Sequence, residues 1–256
     1  MKIVILGAGN LASHLAPALK KAGHQIDCIY SRSRKSAAAL AKRIKSTAVT
    51  SVSQIPHDAD LYIIAVADHA ISDVVSEFDF IPKCIAHTSG SVPLSVFPKK
   101  FRNAGVLYPL QSFSKARKVN LHGTPICIEY RSVAAGLTLK KAAMISSKVS
   151  KLTSAQRAKL HMAAVFVNNF PNALYSIAFD ILKKEKINFN LLHPLILETA
   201  LKVQNNRPDH MQTGPARRGD AVTLNLHRKL LKGMKTEKDI YNLMSKMIEN
   251  KFGPVL

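Results

Sequence analysis

The sequence has no tryptophan, few tyrosines and few carboxylates. Only 16 Asp and Glu residues stand against 37 Lys and Arg residues, so the formal net charge is +21. A nucleic-acid-binding surface usually combines clustered basic residues with aromatic or base-reading side chains. Here the basic residues are dispersed in groups around residues 32–45, 99–118 and 217–232. We therefore favour two interpretations of the charge over a nucleic-acid partner: a host whose proteins are generally basic, or an electrostatic field that attracts a phosphorylated cofactor and an anionic substrate.

Cysteine and long apolar runs are also scarce. Cys28, Cys84 and Cys127 have wide spacings and lie in strand-like runs, which favours buried reduced thiols over disulfides. The opening segment resembles a signal peptide for five residues only and then breaks at Gly7, and no stretch reaches the roughly 18 apolar residues of a membrane span. The sequence contains no HExxH pair, Cys/His cluster, EF-hand spacing or GxSxG turn. We expect a cytoplasmic protein with neither a membrane partner nor a metal site, and hydrolase chemistry has no support.

Short β-branched runs alternate with helical patterns over the first 130 residues. This alternation predicts βαβ units and an α/β domain with a mostly parallel sheet. The predicted strands are Lys2–Leu6, Ile26–Tyr30, Leu61–Val66, Cys84–His87, Ala104–Tyr108 and Pro125–Glu129. The predicted helices between them are Asn10–Ala22, Lys35–Lys45 and Ala70–Phe78.

Strand signals stop after about residue 135, so we predict that the rest of the chain is an all-α domain. A capping box at Thr153–Gln156 opens a helix that runs towards Lys184 and is kinked at Pro171. Further helices are predicted at Leu191–Gln204, Asp220–Leu231 and Thr236–Asn250. We place the domain boundary near Lys151, which divides the chain into residues 1–151 and 152–256.

Gly7, Gly9 and Ala12 form a Gly-x-Gly-x-x-Ala turn between the first predicted strand and the first helix. In a dinucleotide-binding turn, the first glycine permits the tight bend, the second admits the pyrophosphate and the small third residue allows close packing. The helix N-terminus supplies N–H groups to the anion, so Asn10 and Leu11 are predicted cofactor contacts. A glycine-rich turn without a ligand is the alternative, but strand, turn and helix follow in the order that the motif requires. We therefore predict a Rossmann-type first domain.

The second predicted strand ends in a basic, hydroxyl-rich segment. An Asp or Glu at this point would bind the ribose 2′-hydroxyl of NAD, whereas Ser31, Arg32, Ser33 and Arg34 follow Tyr30 here. Guanidinium and hydroxyl groups suit a 2′-phosphate. We therefore predict that the cofactor is NADP(H), with NAD less favoured. A solvated basic loop is the alternative interpretation.

Two further loops follow predicted strand ends. Ala67 and Asp68 follow the third strand, and His87–Ser91 extends from the end of the fourth. Because ligands of open α/β sheets bind outside the carboxyl ends of the strands, Ala67, Asp68 and Ser89 are predicted cofactor contacts. His87 is a candidate proton carrier, and a buried histidine with a structural role is an equal alternative.

Five segments give the chain a resemblance to a Rossmann-like family of NADP oxidoreductases. They are Gly7–Ala12, His87–Ser91, Tyr108–Phe113, His161–Phe170 and Thr213–Asp220, the last containing Gly-Pro-Ala-Arg-Arg-Gly-Asp. This family is remotely similar to pyrroline-5-carboxylate reductases and β-hydroxyacid dehydrogenases. The resemblance spans the chain and implies a Rossmann domain, a helical domain that forms a homodimer, and a site between the two domains.

The resemblance also directs attention to the first long helix of the second domain. β-Hydroxyacid dehydrogenases usually carry a catalytic lysine there, whereas this chain has Asn168 and Asn169. The catalytic candidates are therefore His161, Asn169 and His87, together with Tyr108. A histidine is the better proton carrier, because an imidazole titrates near neutral pH and an asparagine can only position or polarise. A structural role for His161 on its apolar helix is the alternative.

The segment Gly214–Asp220 is typical of an anion site. Arg217 and Arg218 stand beside a predicted helix start. In the similar reductases a segment so placed is expected to bind the substrate carboxylate. Asp220 is placed to cap the following helix, and Gln111 completes the predicted substrate contacts. A capped turn with solvated arginines is the alternative.

Three classes of function stay open at this point. The leading hypothesis is an NADP(H)-dependent oxidoreductase that acts on a small anionic carbonyl or imine substrate, with a deazaflavin coenzyme as an alternative hydride partner. The absent lysine motivates a non-catalytic NADP(H)-binding or regulatory protein. The net charge of +21 motivates a nucleic-acid binder.

Overall fold

The protein is described by a computed structural model over residues 1–253. These residues form two compact units, the first comprising Met1–Asn169 and the second beginning at Phe170. The boundary near Lys151 remains a prediction about which segments fold independently. Among the described residues, no helix combines the length and apolarity that crossing a membrane requires.

An eight-stranded sheet forms the centre of the first unit, which confirms the predicted α/β class. Its strands are β1 (Lys2–Leu6), β2 (Gln25–Tyr30), β3 (Thr47–Val49), β4 (Leu61–Ile64), β5 (Ile85–His87), β6 (Ala104–Pro109), β7 (Ile126–Tyr130) and β8 (Val149–Lys151). Their order across the sheet is β3-β2-β1-β4-β5-β6-β7-β8. The first six have the strand order of a dinucleotide-binding Rossmann sheet. Strand β7 runs antiparallel to β6, and β8 runs parallel to β7.

Helices cover both faces of this sheet. They are α1 (Asn10–Lys21), α2 (Arg34–Ile44), α3 (Ile71–Ser76), α4 (Val133–Ala143) and α5 (Ser154–Ala164). Apolar side chains of α1, α2 and α4 pack with Ile3 and Ile5 of β1 on one face, and those of α3 pack with Val4 and Leu6 on the other. Because β1 is buried on both faces, its sequence is a continuous apolar run.

The C-terminal region is rich in helix, as predicted. A π-helical turn, Val165–Asn169, follows α5, and the second unit contains α6 (Phe170–Lys184), α7 (His193–Asn205), α8 (Pro215–Arg218), α9 (Ala221–Leu230) and α10 (Lys235–Phe252). This π-helical turn ends two residues before Pro171, where the sequence predicts an interruption of the helix, and a kink at Pro171 itself stays a prediction. Proline lacks the N–H that a regular helix requires, which accounts for the wider turn before it.

Two short edge strands escaped the sequence analysis. The prediction of no strand after residue 135 is wrong, because β8 lies at Val149–Lys151. Strand β3 was also missed. Each pairs with one neighbour, and most of their side chains are exposed, so neither carries the apolar pattern of a buried strand. The three cysteines are buried and free, as predicted.

Candidate functional site

The glycine turn between β1 and α1 leaves room for close approach to the backbone. Gly7 has a φ of 132°, and a Cβ there would lie 2.2 Å from the carbonyl oxygen of Ala65, so only glycine fits. A Cβ on Gly9 would meet no atom within 4 Å. Helix α1 begins without a side-chain cap and without an acidic residue in its first turn, which contains Asn10 and Leu11. This open, uncapped helix start is suited to an anion.

A cleft of 360 Å³, here called the glycine-turn cleft, opens beside this turn. It is lined by Gly7, Ala8, Gly9, Tyr30, Ser31, Arg32, Ser33, Ala65, Val66, Ala67, Ala70 and Val74. The Ser31 hydroxyl accepts a hydrogen bond from the Ser33 N–H, and the Ser33 hydroxyl accepts one from the Ser36 N–H at the start of α2, both at 3.3 Å. These bonds hold the backbone around Arg32, the only charged side chain among the described lining residues. Arg34 begins α2 and is not part of the lining.

Asp68 and Ser89 connect the loops that follow β4 and β5. The hydroxyls of Ser89 and Ser91 donate to the same Asp68 carboxylate oxygen, at 2.8 and 2.6 Å. The Ser89 hydroxyl in turn accepts from the backbone N–H groups of Ser91 and Val92, at 3.1 and 2.9 Å. This network organises the two loops at the carboxyl edge of the sheet.

His87 lies inside the first unit with none of its surface exposed. The Ser89 N–H donates to its Nδ1 at 3.2 Å, so the proton of the neutral ring is on Nε2. Burial and the nearby Arg157 cation lower the pKa of His87 to about 4. His87 lines neither of the two clefts described here. These observations favour a structural histidine over a proton carrier.

The buried His87 predicts a loss of stability in acid. Its folded pKa of about 4 lies below the ordinary imidazole value of about 6.5, so the unfolded chain binds more protons between these values. We expect His87 to contribute about 2 kcal/mol to the fall in the free energy of unfolding from pH 7 to pH 5. Denaturant titrations at both pH values, on wild type and His87→Phe, measure this contribution.

The control for this experiment is Phe101→Leu, which replaces another buried aromatic residue of the first unit and removes no ionisable group. It should keep the wild-type pH dependence, whereas His87→Phe should flatten it. Equal slopes for the two variants would contradict the prediction.

Tyr108 of β6 and His161 of α5 form a hydrogen-bonded pair. The Tyr108 hydroxyl lies 3.0 Å from His161 Nδ1, and the two rings meet edge to face. A Cβ on Gly90 would lie 2.7 Å from the His161 ring and 2.8 Å from the Tyr108 ring, so the absence of a side chain at Gly90 permits this arrangement. Burial raises the pKa of Tyr108 to about 12, so the phenol keeps its proton at neutral pH. The pair can therefore donate a hydrogen bond or a proton.

The pair lines a second cleft of 630 Å³, here called the tyrosine–histidine cleft. Its lining residues are Tyr108, Leu110, Gln111, Ser112, Leu160, His161, Ala163, Ala164, Val165, Val167, Asn168 and Asn169. The two asparagines belong to the π-helical turn, a deformation that is frequent at functional sites. The structure thus brings three predicted site residues, Gln111, His161 and Asn169, together around Tyr108.

The predicted residues Arg217, Arg218 and Asp220 belong to the second unit. Asp220 caps α9, since its carboxylate accepts hydrogen bonds from the Thr223 N–H at 3.0 Å and the Thr223 hydroxyl at 2.7 Å. These bonds lower the pKa of Asp220. Both arginines are exposed, and Arg217 donates to the Gly253 carbonyl at 3.0 Å. The capping role of Asp220 is confirmed, and substrate binding by the three residues stays a prediction.

Sequence reasoning missed two features of the site. Gly90 lies within the His87–Ser91 segment, but the sequence does not reveal the close contact with Tyr108 and His161 that requires a glycine there. Sequence reasoning also missed the buried ion pair between Arg157 and Glu129. One signal was present: Arg157 precedes His161 by one helical turn, so both side chains lie on the same face of α5.

Comparison with known proteins supplies the family. A family model described as NADP oxidoreductase, coenzyme F420-dependent, matches residues 2–85, and a domain of unknown function (DUF2520) matches residues 124–248. A putative NADP oxidoreductase from Bacteroides fragilis is 36% identical, with a TM-score of 0.91, over 97% of this chain and 98% of that one. The chain belongs to this family of NADP oxidoreductases. The glycine-turn cleft lies within the matched oxidoreductase segment.

More distant structures share the fold of this NADP oxidoreductase family member. A protein from Thermotoga maritima is 24% identical over 97% of both chains, with a TM-score of 0.72. An imine reductase from Myxococcus stipitatus, solved with NADP+, is 16% identical over 98% of this chain and 93% of that one, with a TM-score of 0.66. No curated protein matches the sequence.

Proposed function

We propose that the protein is an NADP(H)-dependent oxidoreductase that acts on a small anionic carbonyl or imine substrate. The observation that carries this proposal is the Tyr108–His161 hydrogen bond at the wall of a 630 Å³ cleft. A cleft of this size suits a small molecule, and the pair offers a proton that carbonyl or imine reduction requires.

The glycine-turn cleft supports NADP(H) over NAD(H). Its described lining contains Arg32 and the hydroxyls of Ser31 and Ser33, and no carboxylate that would repel a 2′-phosphate. Gly7, Gly9 and the start of α1 would hold the pyrophosphate. When bound, the cofactor supplies or accepts the hydride at the nicotinamide ring. A deazaflavin coenzyme is the alternative hydride partner.

Tyr108 is the proposed proton donor in the direction of reduction. Its hydroxyl keeps its proton at neutral pH, because burial raises its pKa to about 12, and it can donate to the carbonyl oxygen or imine nitrogen. His161 Nδ1 contacts the same hydroxyl, so it orients the phenol and can return a proton to it from solvent. Asn169 and Gln111 would position the substrate through their amide groups.

An anionic substrate suits the charge of the protein, since a net charge of +21 raises the local concentration of anions. On the basis of the resemblance, Arg217, Arg218 and Asp220 are further candidates for contacts with a substrate carboxylate. Carboxylate-bearing oxo acids and imino acids are therefore the first substrates to assay.

The test begins with parallel titrations of purified protein with NADPH and NADH, followed by fluorescence or calorimetry. Tighter binding of NADPH, with subsequent NADPH oxidation on a panel of carbonyl, imine and oxo-acid compounds, supports the proposal. Binding of neither nucleotide contradicts it. Tight binding without turnover favours the non-catalytic alternative, and turnover with a reduced deazaflavin alone identifies the other hydride partner.

We further propose that the second unit forms a homodimer. Val222, Leu226 and Leu230 are exposed along one stripe of α9, at 83%, 54% and 71% of their surface, and such stripes are typical of protein interfaces. Light scattering coupled to size exclusion should give twice the chain mass for wild type and the chain mass for Leu226→Glu. The control Leu137→Glu, at an exposed position of α4, should stay dimeric. A monomeric wild type would contradict this proposal.

A further inference from the structure

Arg157 is a buried cation one helical turn before His161. Only 1% of its surface is exposed, and it is among the largest fully buried side chains among the described residues. Its guanidinium forms an ion pair with Glu129 of β7 and donates to the carbonyl oxygen of Val92. Glu129 also accepts from the N–H and hydroxyl of Ser154, at 2.9 to 3.0 Å. One side chain therefore connects β7, the start of α5 and the segment that ends at Val92.

One of the connected segments carries His161, and two others adjoin Tyr108: β7 pairs with β6, which carries Tyr108, and the segment that ends at Val92 lies against both rings. Residue Val92 directly follows the His87–Ser91 segment, whose Gly90 backbone lies against both rings with no room for a Cβ. Helix α5 carries His161. A small displacement of either segment would therefore change the 3.0 Å distance between the Tyr108 hydroxyl and His161 Nδ1.

We propose that Arg157, paired with Glu129, is a positioning residue that holds the Gly90 segment and α5 at the separation in which Tyr108 and His161 hydrogen-bond. Its effect on turnover rests on the proposed function, whereas its effect on the Tyr108–His161 hydrogen bond does not.

A variant that removes both charges can distinguish a positioning role of Arg157 from a role in stabilising the fold. Removing one partner leaves an uncompensated buried charge and destabilises a protein strongly, whereas replacing both partners with uncharged residues of similar volume is often tolerated. The double variant Arg157→Met/Glu129→Gln removes both charges and keeps a side-chain oxygen that can accept from Ser154. It should fold, yet it lacks the contact to Val92.

Arg157 also acts on Tyr108 through its charge. The charged and titratable groups around Tyr108 are Arg157, Asp68, Cys127 and His161. Burial is the main cause that raises the Tyr108 pKa, Cys127 and Asp68 raise it further, and Arg157 lowers it. The arginine thus favours proton donation by the phenol in addition to holding the two segments.

The experiment measures the coupling between Tyr108 and His161 by the ¹⁵N NMR chemical shift of His161 Nδ1 at one fixed pH, assigned with His161→Gln. In the wild-type background, Tyr108→Phe should move this chemical shift, because it removes the hydrogen bond to Nδ1. In the Arg157→Met/Glu129→Gln background, Tyr108→Phe should have little effect, because the bond is already broken. An equal movement in both backgrounds would overturn the proposal.

The matched control is Arg131→Met. Exposed Arg131 also donates to backbone carbonyls, those of Leu94, Phe97, Pro98 and Phe101, but it does not contact the segment through Val92. The Tyr108→Phe effect should persist in this background.

If the double variant does not fold, Arg157→Lys replaces it. A lysine keeps the charge but lacks the second nitrogen that would donate to Val92, so this variant should also weaken the coupling between Tyr108 and His161. Full coupling in Arg157→Lys would overturn the proposal.

Turnover and cofactor binding provide the second readout. For any substrate that wild type accepts, the double variant should show kcat reduced about tenfold or more, with NADPH affinity retained. Unchanged kcat in a folded double variant would overturn the positioning role. If wild type turns over no substrate, the proposed function fails, and the NMR arm still decides the inference.

Discussion

Replacement of Tyr108 by Phe is expected to lower kcat by about a hundredfold, the usual scale for loss of a positioned proton donor. The variant keeps the ring and removes only the hydroxyl that contacts His161 Nδ1. Affinity for NADPH, measured by fluorescence, should stay at the wild-type level, because Tyr108 does not line the glycine-turn cleft. Steady-state oxidation of NADPH with the best substrate of the panel measures kcat.

A matched control exists in the second unit. The Tyr241 hydroxyl lies 2.8 Å from His227 Nδ1, a similar contact that we assign no catalytic role. Tyr241→Phe should therefore retain wild-type kcat. If Tyr108→Phe and Tyr241→Phe lose activity equally, the hydroxyl of Tyr108 is not the proton donor.

A double variant tests whether His161 acts through Tyr108. If it does, Tyr108→Phe/His161→Gln should have a kcat no lower than that of Tyr108→Phe.

Replacement of Arg32 by Ala should weaken NADPH binding by about ten- to a hundredfold, because a charge-assisted hydrogen bond to phosphate contributes about 1.5–3 kcal/mol. Affinity for NADH should change little, since NADH lacks the 2′-phosphate. Titrations of both nucleotides at one fixed, low ionic strength measure the effect, because Arg32 is exposed and salt screens its charge.

Arg34→Ala is the control for Arg32→Ala. Both arginines belong to the same basic segment, but only Arg32 lines the glycine-turn cleft. NADPH affinity in Arg34→Ala should therefore stay close to wild type. An equal loss of NADPH and NADH binding in Arg32→Ala would mean that Arg32 supports the pyrophosphate or the loop, and the preference for NADP(H) would have to come from another residue.

Prediction from sequence worked best where local pattern and backbone chemistry determine structure. The run Lys2–Leu6, the turn with Gly7 and Gly9 and the following helix were all identified, because a buried parallel strand and a tight turn restrict the residues at each position. Edge strands β3 and β8 were missed because exposed strands pair through backbone groups that any sequence provides.

The candidate site was predicted only in part for a related reason. His161, Asn169 and Gln111 were selected from segments far apart in the chain, and the structure places them around one cleft. As a candidate proton carrier, His87 looked equally suitable from the sequence. Its ring lies in the interior, where the charged form of the imidazole is disfavoured. No local pattern distinguishes these two histidines.

The sequence by itself determined the class of the fold, the position of the phosphate-binding turn and the absence of a carboxylate after the second strand. These properties depend on neighbouring residues, through backbone conformation, apolar periodicity and charge. Only the tertiary structure decided that Tyr108 meets His161, that Gly90 leaves them room, and that Arg157 and Glu129 are buried together. Those contacts join β6, α5 and β7, and contacts between segments distant in the chain depend on packing, which residue types and spacing do not specify.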